Sequence, residues 1–436
     1  MLAKMPPAAP KGSRTAWLVL AIVAAANFGN FYVYDSIGPV AELLGRLRGF
    51  NDTQIGTLNA IYSLPNVVLL LVGGVLVDRA GIGRVMAATA AICFAGAVLT
   101  AVGAEFTGMA AGRLLFGIGA ETFNVATLAA IVRFAPARHA AFTIGASLAL
   151  GRAGAFAVDM SPTWMAGAYA SGWQPPLLVA AAFAGLSLVM ALAYARIERS
   201  VTPPGMDARA EPTVALKGLY RFGPAYWQLL ALAALWYAVI FAFRSTFSIK
   251  YFQHAHGLDL AAAGAINAWV FLAALFATPF FGWVCDRVQR HAPLLAFGAL
   301  LLPAAIASLA LAERSLWVGT VLIGVSFSLV PAVLWPLTAR IVPASRYGTA
   351  AALVSVALNA GIAGANLVAG QLNDRFGASA ANPEGYEPMM AFFFATGVAA
   401  FAFSLLMWRS TYKGTLTFSE MSHPSAAPAE RAFPKR

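Results

Sequence analysis

The chain is 436 residues long, 60% hydrophobic and only 11% charged, with a formal net charge of +11. Soluble proteins carry about 25% charged residues, so the composition argues against an ordinary soluble multidomain protein. The excess of Lys and Arg would suit nucleic acid, but its placement assigns it another role.

Apolar runs of about 20 residues, each long enough to cross a bilayer core as a helix, recur along the sequence. In chain order they fall at 16–40, 54–77, 84–103, 107–132, 140–168, 174–194, 226–250, 262–285, 292–312, 315–340, 347–371 and 388–408. Lys4, Lys11 and Arg14 precede the first run, which is read as a retained helix and not a cleaved leader. Twelve spans place both termini on one side of the membrane. Most of the 29 Lys and Arg residues fall in segments on that side, leaving Arg46, Arg48, Lys250, Arg314 and Arg375 for the other. This is the positive-inside bias. It places both termini in the cytoplasm and removes the need for a nucleic-acid partner.

The chain therefore reads as an all-α membrane protein with twelve transmembrane helices in two six-helix bundles. A tail (1–15) precedes the first bundle (16–195). A connector (196–224) containing Pro203, Pro204 and Gly205 leads to the second bundle (225–410), and a Ser-, Ala- and Pro-rich tail (411–436) is expected to be disordered. The connector is expected to hold a short surface helix near Val214–Phe222. Cys93 and Cys285 lie within spans and His residues are scattered, so no disulfide framework, metal or cofactor is implied.

One pattern is written twice. Gly74, Asp78, Arg79 and Arg84 end the second span, and Gly282, Asp286 and Arg287 end the eighth, about half the chain away. Such a repeat in an apolar chain means two similar membrane halves. In each copy the Gly lets helices approach, while Asp and Arg can latch the cytoplasmic face in one conformation. A third such string, Gly370, Asp374 and Arg375, falls on the opposite side and is read as a helix end without latch function.

The doubled string, together with Arg113, Gly117 and Gly119 in the fourth span, resembles the signature of the major facilitator superfamily. That resemblance implies two pseudo-symmetric halves around a central cavity. The fifth span lacks the Gly-Pro pattern of the family's drug antiporters.

Ionisable groups within a bilayer are costly and by default mark a substrate or ion pathway. The candidates are Asp35, Arg113, Glu121, Arg152, Asp159 and Arg244. Arg152 and Asp159, seven residues apart, share a helix face about 10 Å apart along the axis. That spacing suits two ends of a bound zwitterion, or separate partners. Arg113 and Glu121, eight apart, face different partners. Tyr237, Phe241, Arg244 and Ser248 form one helical stripe, Asn59, Tyr62 and Asn66 another, and Asn359 and Asn366 a third; Tyr34 flanks Asp35.

Tyr34-Asp35, the run Tyr62 to Val68, Gly112 to Glu121 and Leu334-Trp335-Pro336 resemble one branch of the superfamily, which includes a lysosomal dipeptide uniporter. The resemblance implies a peptide site at Asp35, Glu121, Arg152 and Trp335. A carboxylate would hold the peptide ammonium, Arg its carboxylate, and Trp its side chain. Asp159 and Arg244 depart from the branch, and neither tail carries its acidic dileucine signal. The Ala-rich, short-looped build suggests a bacterial inner-membrane homologue acting as a monomer.

The expected function is alternating-access transport of a small zwitterionic solute, foremost dipeptides, around Asp35, Glu121, Arg152, Trp335, Arg244, Asp159, Tyr34, Tyr62, Asn66, Tyr237 and Asn359. A proton-coupled symporter of small carboxylates or amino acids, a drug antiporter, and a non-transporting sensor or scaffold are the alternatives. Asn51-Asp52-Thr53 also matches a glycosylation sequon.

Overall fold

A computed structural model describes residues 13–66, 69, 76–77, 79–134, 140–201, 222–288, 290–311, 315–343 and 346–421, giving the main chain alone at 13–14, 140–148, 201, 286 and 411–421. The regular structure of the described residues is helical. Ten helices among them are long and apolar enough to cross a membrane. Of the two other expected spans, the second is described only in part. The fifth forms a 25-residue helix, Ala140–Trp164, that carries Arg152 and Asp159.

The first half begins with α1 (Ser13–Tyr34), which does not stop at Pro39. It passes through a 3-10 turn at Gly38–Val40, with Pro39 in its first turn, and continues as α2 (Ala41–Arg48). Pro offers no N–H for a regular helical bond, so the span is broken near its middle, beside Asp35. Gly49, at φ 70°, ends α2, a left-handed position that Gly occupies without strain. Then follow α3 (Asp52–Ile61), α4 (Ile82–Val102), α5 (Phe106–Phe134), α6 (Ala140–Trp164) and α7 (Gln174–Val201).

The second half repeats the interruption by another means. Its first span runs from α8 (Pro224–Val239) through a π-helical stretch, Ile240–Phe247, into α9 (Ser248–His256). The wider π turn re-aims the side chains beyond it, and Arg244 sits inside it. The half is completed by α10 (Leu260–Val288), α11 (His291–Ala310), α12 (Trp317–Ile341), α13 (Tyr347–Arg375) and α14 (Glu387–Met421). The last helix continues to Met421, into the segment expected as a disordered tail. The middle of the connector and the remainder of that tail lie outside the described residues, as does the expected surface helix up to residue 221.

Each half has its own buried apolar core, one in the second half and two in the first. The halves meet along two seams, α3 against α13 and α6 against α10. A methyl group added at Gly370 would come within 2.4 Å of the Asp52 carbonyl oxygen, and one at Gly264 within 2.3 Å of that of Asp159. Both seams therefore require glycine where the backbones cross. Toward the other face, a methyl at Gly282 or Gly348 would meet no atom of the described residues within 4 Å. The halves are clasped at the face of loop 49–51, and no such close approach occurs at Gly282 or Gly348 among the described residues.

Candidate functional site

Three polar assemblies stand between the halves. The outermost is built on the start of α3. Asn51 caps that helix itself, accepting from Gln54 N–H at 2.8 Å in a capping box. The sequon residue thus has a local structural role. The first two helical amides, of Asp52 and Thr53, donate instead to Asp374 at 2.7 and 2.8 Å, from one half to the other. A carboxylate at a helix N-terminus meets both unpaired amides and the positive end of the helix dipole. Asp52, itself buried, accepts from Asn373 Nδ2 at 2.8 Å and pairs with Lys250 Nζ. The third Gly-Asp-Arg string therefore clasps the halves at its own face, a correction to its reading as an inert helix end. Periodicity could not give this, because the partner lies more than 300 residues away in sequence.

Deeper lies an ionic triad. Arg244 pairs with Asp35 at 2.5 Å and with Asp159, and all three residues are 2% exposed. Asn267 Nδ2 donates to Asp159 at 3.0 Å, and the Arg244 guanidinium lies 3.9 Å from the Phe271 ring centroid. The expectation that these three groups face a guest is not met in this conformation, where they hold one another. Nor does the α-helical stripe from Tyr237 to Ser248 persist. The π turn leaves Tyr237 and Phe241 stacked and half-buried, while Arg244 turns into the seam and Ser248 donates to Arg244 O at 2.8 Å.

Arg113 is likewise a structural group. Its guanidinium donates to the carbonyls of Leu58 (3.2 Å), Val33 (3.0 Å) and Tyr34 (3.0 Å) and to Asn59 Oδ1 (2.6 Å), and lies over Tyr62. It satisfies carbonyls beside the break in the first span, where regular helical bonding stops. Tyr62 is 1% exposed, packed beneath that guanidinium. Asn59 continues across the seam to Thr246 Oγ1 at 2.8 Å, which donates to Asn366 Oδ1 at 2.7 Å.

The innermost assembly is the one whose charged side chains stay partly exposed. Glu121 and Arg152 are only half-buried and belong to none of the ion pairs of the described residues. Asn66 Nδ2 donates both to Glu121 Oε1 at 3.3 Å and to Asn359 Oδ1 at 3.2 Å, tying the acid to both halves. Arg152 donates to Thr278 Oγ1 across the second seam and lies 4.8 Å from the Phe327 ring centroid. Tyr34, Asn124, Tyr237 and Trp335 are half-buried like the two charges. Gly119 presses the Glu121 helix against α4, so the carboxylate is carried on a rigid element. Thr278, Phe327 and Asn124 were not singled out in the sequence. Thr278 and Asn124 each offered a signal, as polar side chains inside apolar spans.

At the basic face, Arg79 and Arg84 are exposed, and Arg287 lies 4.3 Å from the Trp283 ring of its own helix. A methyl added at Gly282 would touch no neighbour among the described residues. Gly74, Asp78 and the Asp286 side chain lie outside the described residues.

The comparisons with known proteins agree with this architecture. The Major Facilitator Superfamily model matches residues 20–365 and 242–429. The lysosomal dipeptide transporter MFSD1 of Bos taurus is 28% identical over 377 residues, covering 83% of this chain and 80% of the relative. The Danio rerio protein of that name is 27% identical over 432 residues, covering 95% and 91%. A probable nitrate/nitrite transporter, NarK2 of Mycobacterium tuberculosis, is 29% identical over 290 residues, covering 63% and 70%. Among solved structures, a point mutant of the nucleoside transporter NupG superposes with a TM-score of 0.74 at 13% identity, over 89% of this chain and 99% of that one. A bacterial homologue of the human lysosomal transporter Spinster gives 0.72 at 17% identity, over 92% and 99%.

Proposed function

The chain belongs to the Major Facilitator Superfamily, and from that premise we propose that this multi-pass membrane transporter carries a small zwitterion, a dipeptide in particular, between Glu121 and Arg152. The observation that carries the reading is the separate, half-buried placement of these two charges, while the other intramembrane charges are satisfied within the protein. An unpaired carboxylate and an unpaired guanidinium inside a membrane are expensive to maintain, and a solute bearing both opposite charges would compensate both. The peptide ammonium would meet Glu121 and Asn66, and its carboxylate would meet Arg152 in two-point fashion. Tyr237, Phe327 and Trp335 offer aromatic walls for the side chains. The resemblance to dipeptide transporters of other organisms supports the same choice.

Transport would follow alternating access. The state described here is clasped at the face of loop 49–51 and is taken as open toward the basic face, the cytoplasmic side under the positive-inside bias. Parting of the Asp374 clasp and of the Arg244 triad would open the other side. The Arg79, Arg84 and Arg287 ends would then close, together with Gly74, Asp78, Gly282 and Asp286. A thermal-shift screen of the purified protein tests the substrate class. Dipeptides should stabilise it, and free amino acids, monocarboxylates and nitrate should do so far less. Stronger stabilisation by nitrate or a monocarboxylate would replace the zwitterion reading with an anion one.

A further inference from the structure

Away from the central site, the second half contains a cleft of about 920 Å³ at the face of loop 49–51, within the range of about 300–1,000 Å³ typical of ligand pockets. It lies between the end of α9, the end of α11, the first residue of α12 and the start of α14. Its depth is apolar, lined by the buried Ile306 and Met390. Its mouth carries the exposed side chains of Leu311, Trp317 and Phe394, Leu311 being 81% exposed. Leu311 and Trp317 stand at the ends of two spans, the level at which a lipid headgroup would lie. Tyr251 OH donates to Leu309 O at 3.4 Å, and His254 Nδ1 meets Tyr386 OH at 2.8 Å. These bonds hold α9 to α11 and to the turn before α14, and so fix the walls.

Two features of the cleft concern charge. Glu384 and Glu387 line it with exposed side chains, and no Lys or Arg lines it among the described residues. In its wall, His256 Nε2 is buried with no hydrogen-bond partner, a polar atom whose desolvation is uncompensated within the protein.

We infer that this cleft seats phosphatidylethanolamine from the adjoining leaflet. The primary ammonium would donate to Glu384 and Glu387, a phosphate oxygen would accept from His256 Nε2–H, and one acyl chain would lie along Ile306, Leu311 and Phe394. Each lipid group meets its complement. A choline headgroup has no N–H to donate to the carboxylates, and a phosphatidylglycerol headgroup brings a negative charge to an acidic lining.

Native mass spectrometry of the detergent-purified full chain, titrated with phosphatidylethanolamine, phosphatidylcholine or phosphatidylglycerol, tests the assignment. The wild type should retain phosphatidylethanolamine roughly fivefold better than either other lipid, a factor in keeping with two exposed charges. The double substitution Glu384→Gln, Glu387→Gln should remove that preference, and Ala391→Trp, which fills the cleft, should remove retention of a tightly held lipid altogether. If the Trp variant fails to fold, the Gln pair, confined to exposed positions, still decides the matter. Equal retention of the three lipids by the wild type, or retention unchanged in the Gln pair, would overturn the assignment. So would a second polypeptide that stays bound to the wild type and is lost with Ala391→Trp while lipid binding is unaltered; the cleft would then be a subunit seat.

Discussion

Replacing Asp374 with Ala should open the face that the structure holds shut. Asp374 receives two backbone N–H groups from the opposite half, at 2.7 and 2.8 Å, at the first turn of α3. Hydrogen bonds to a charged group contribute about 1.5–3 kcal/mol each when shielded. The Asp374 side chain is exposed and the freed amides can turn to water, so about 1 kcal/mol each is the appropriate scale. Loss of the helix-dipole interaction lies within the same figure. The clasped state therefore loses about 2 kcal/mol relative to the opened one, a shift of roughly 30-fold in their ratio. Spin labels at Leu47→Cys and Ala380→Cys, on the two halves beside the clasp, would report it by pulsed electron resonance, since Cys93 and Cys285 are buried. The Asp374→Ala background should move population from the short distance to a longer one. An identical distance distribution in both backgrounds would refute the reasoning that this carboxylate clasps the halves.

Arg244→Met leaves Asp35 and Asp159 buried without their cation, and breaking a buried pair in this way costs about 3–5 kcal/mol. The variant should show reduced thermal stability, with partial recovery when Asp35→Asn and Asp159→Asn are added; an unchanged melting temperature would contradict the triad's structural role. Glu121→Gln keeps the hydrogen bond from Asn66 but removes the charge offered to an ammonium. Dipeptide uptake into proteoliposomes should fall by about tenfold, for a charged contact of about 1.4 kcal/mol, with normal membrane insertion. Uptake at the wild-type rate would remove Glu121 from the site.

The spans and the two-half organisation were legible because they depend on local composition. Bilayer thickness sets run length, and Gly, Asp and Arg at run ends mark a repeat. All six ionisable residues within apolar runs were visible in the sequence, but not which of them the fold would neutralise. Asp35, Arg113, Asp159 and Arg244 are satisfied within the protein, while Glu121 and Arg152 belong to none of the ion pairs of the described residues. The partners were not legible. Helical periodicity names the face on which Arg244 stands, but not the helix that face meets, and the π turn at Ile240–Phe247 altered even the face. Asp35, Asp159 and Arg244 lie far apart in sequence; a charge tally at similar depth in three spans was the one hint that they neutralise one another. Arg113 bonds to three main-chain carbonyls, which leave no trace in side-chain patterning. Asp374 was set aside because its string ends at the face without the basic loops, yet the preference of a helix start for an acid holds at either face.

The central claim is two-point capture of a zwitterion between Glu121 and Arg152. Its most direct measurement is competition for labelled dipeptide uptake in proteoliposomes, using dipeptides, their C-terminal amides and their N-acetyl forms, with wild type and Arg152→Lys. Free dipeptides should compete and both blocked forms should fail. Arg152→Lys should weaken dipeptide affinity by about tenfold or more, because an ammonium cannot reproduce the guanidinium fork. Amides and N-acetyl peptides competing as well as free dipeptides, with Arg152→Lys unaltered, would contradict that claim.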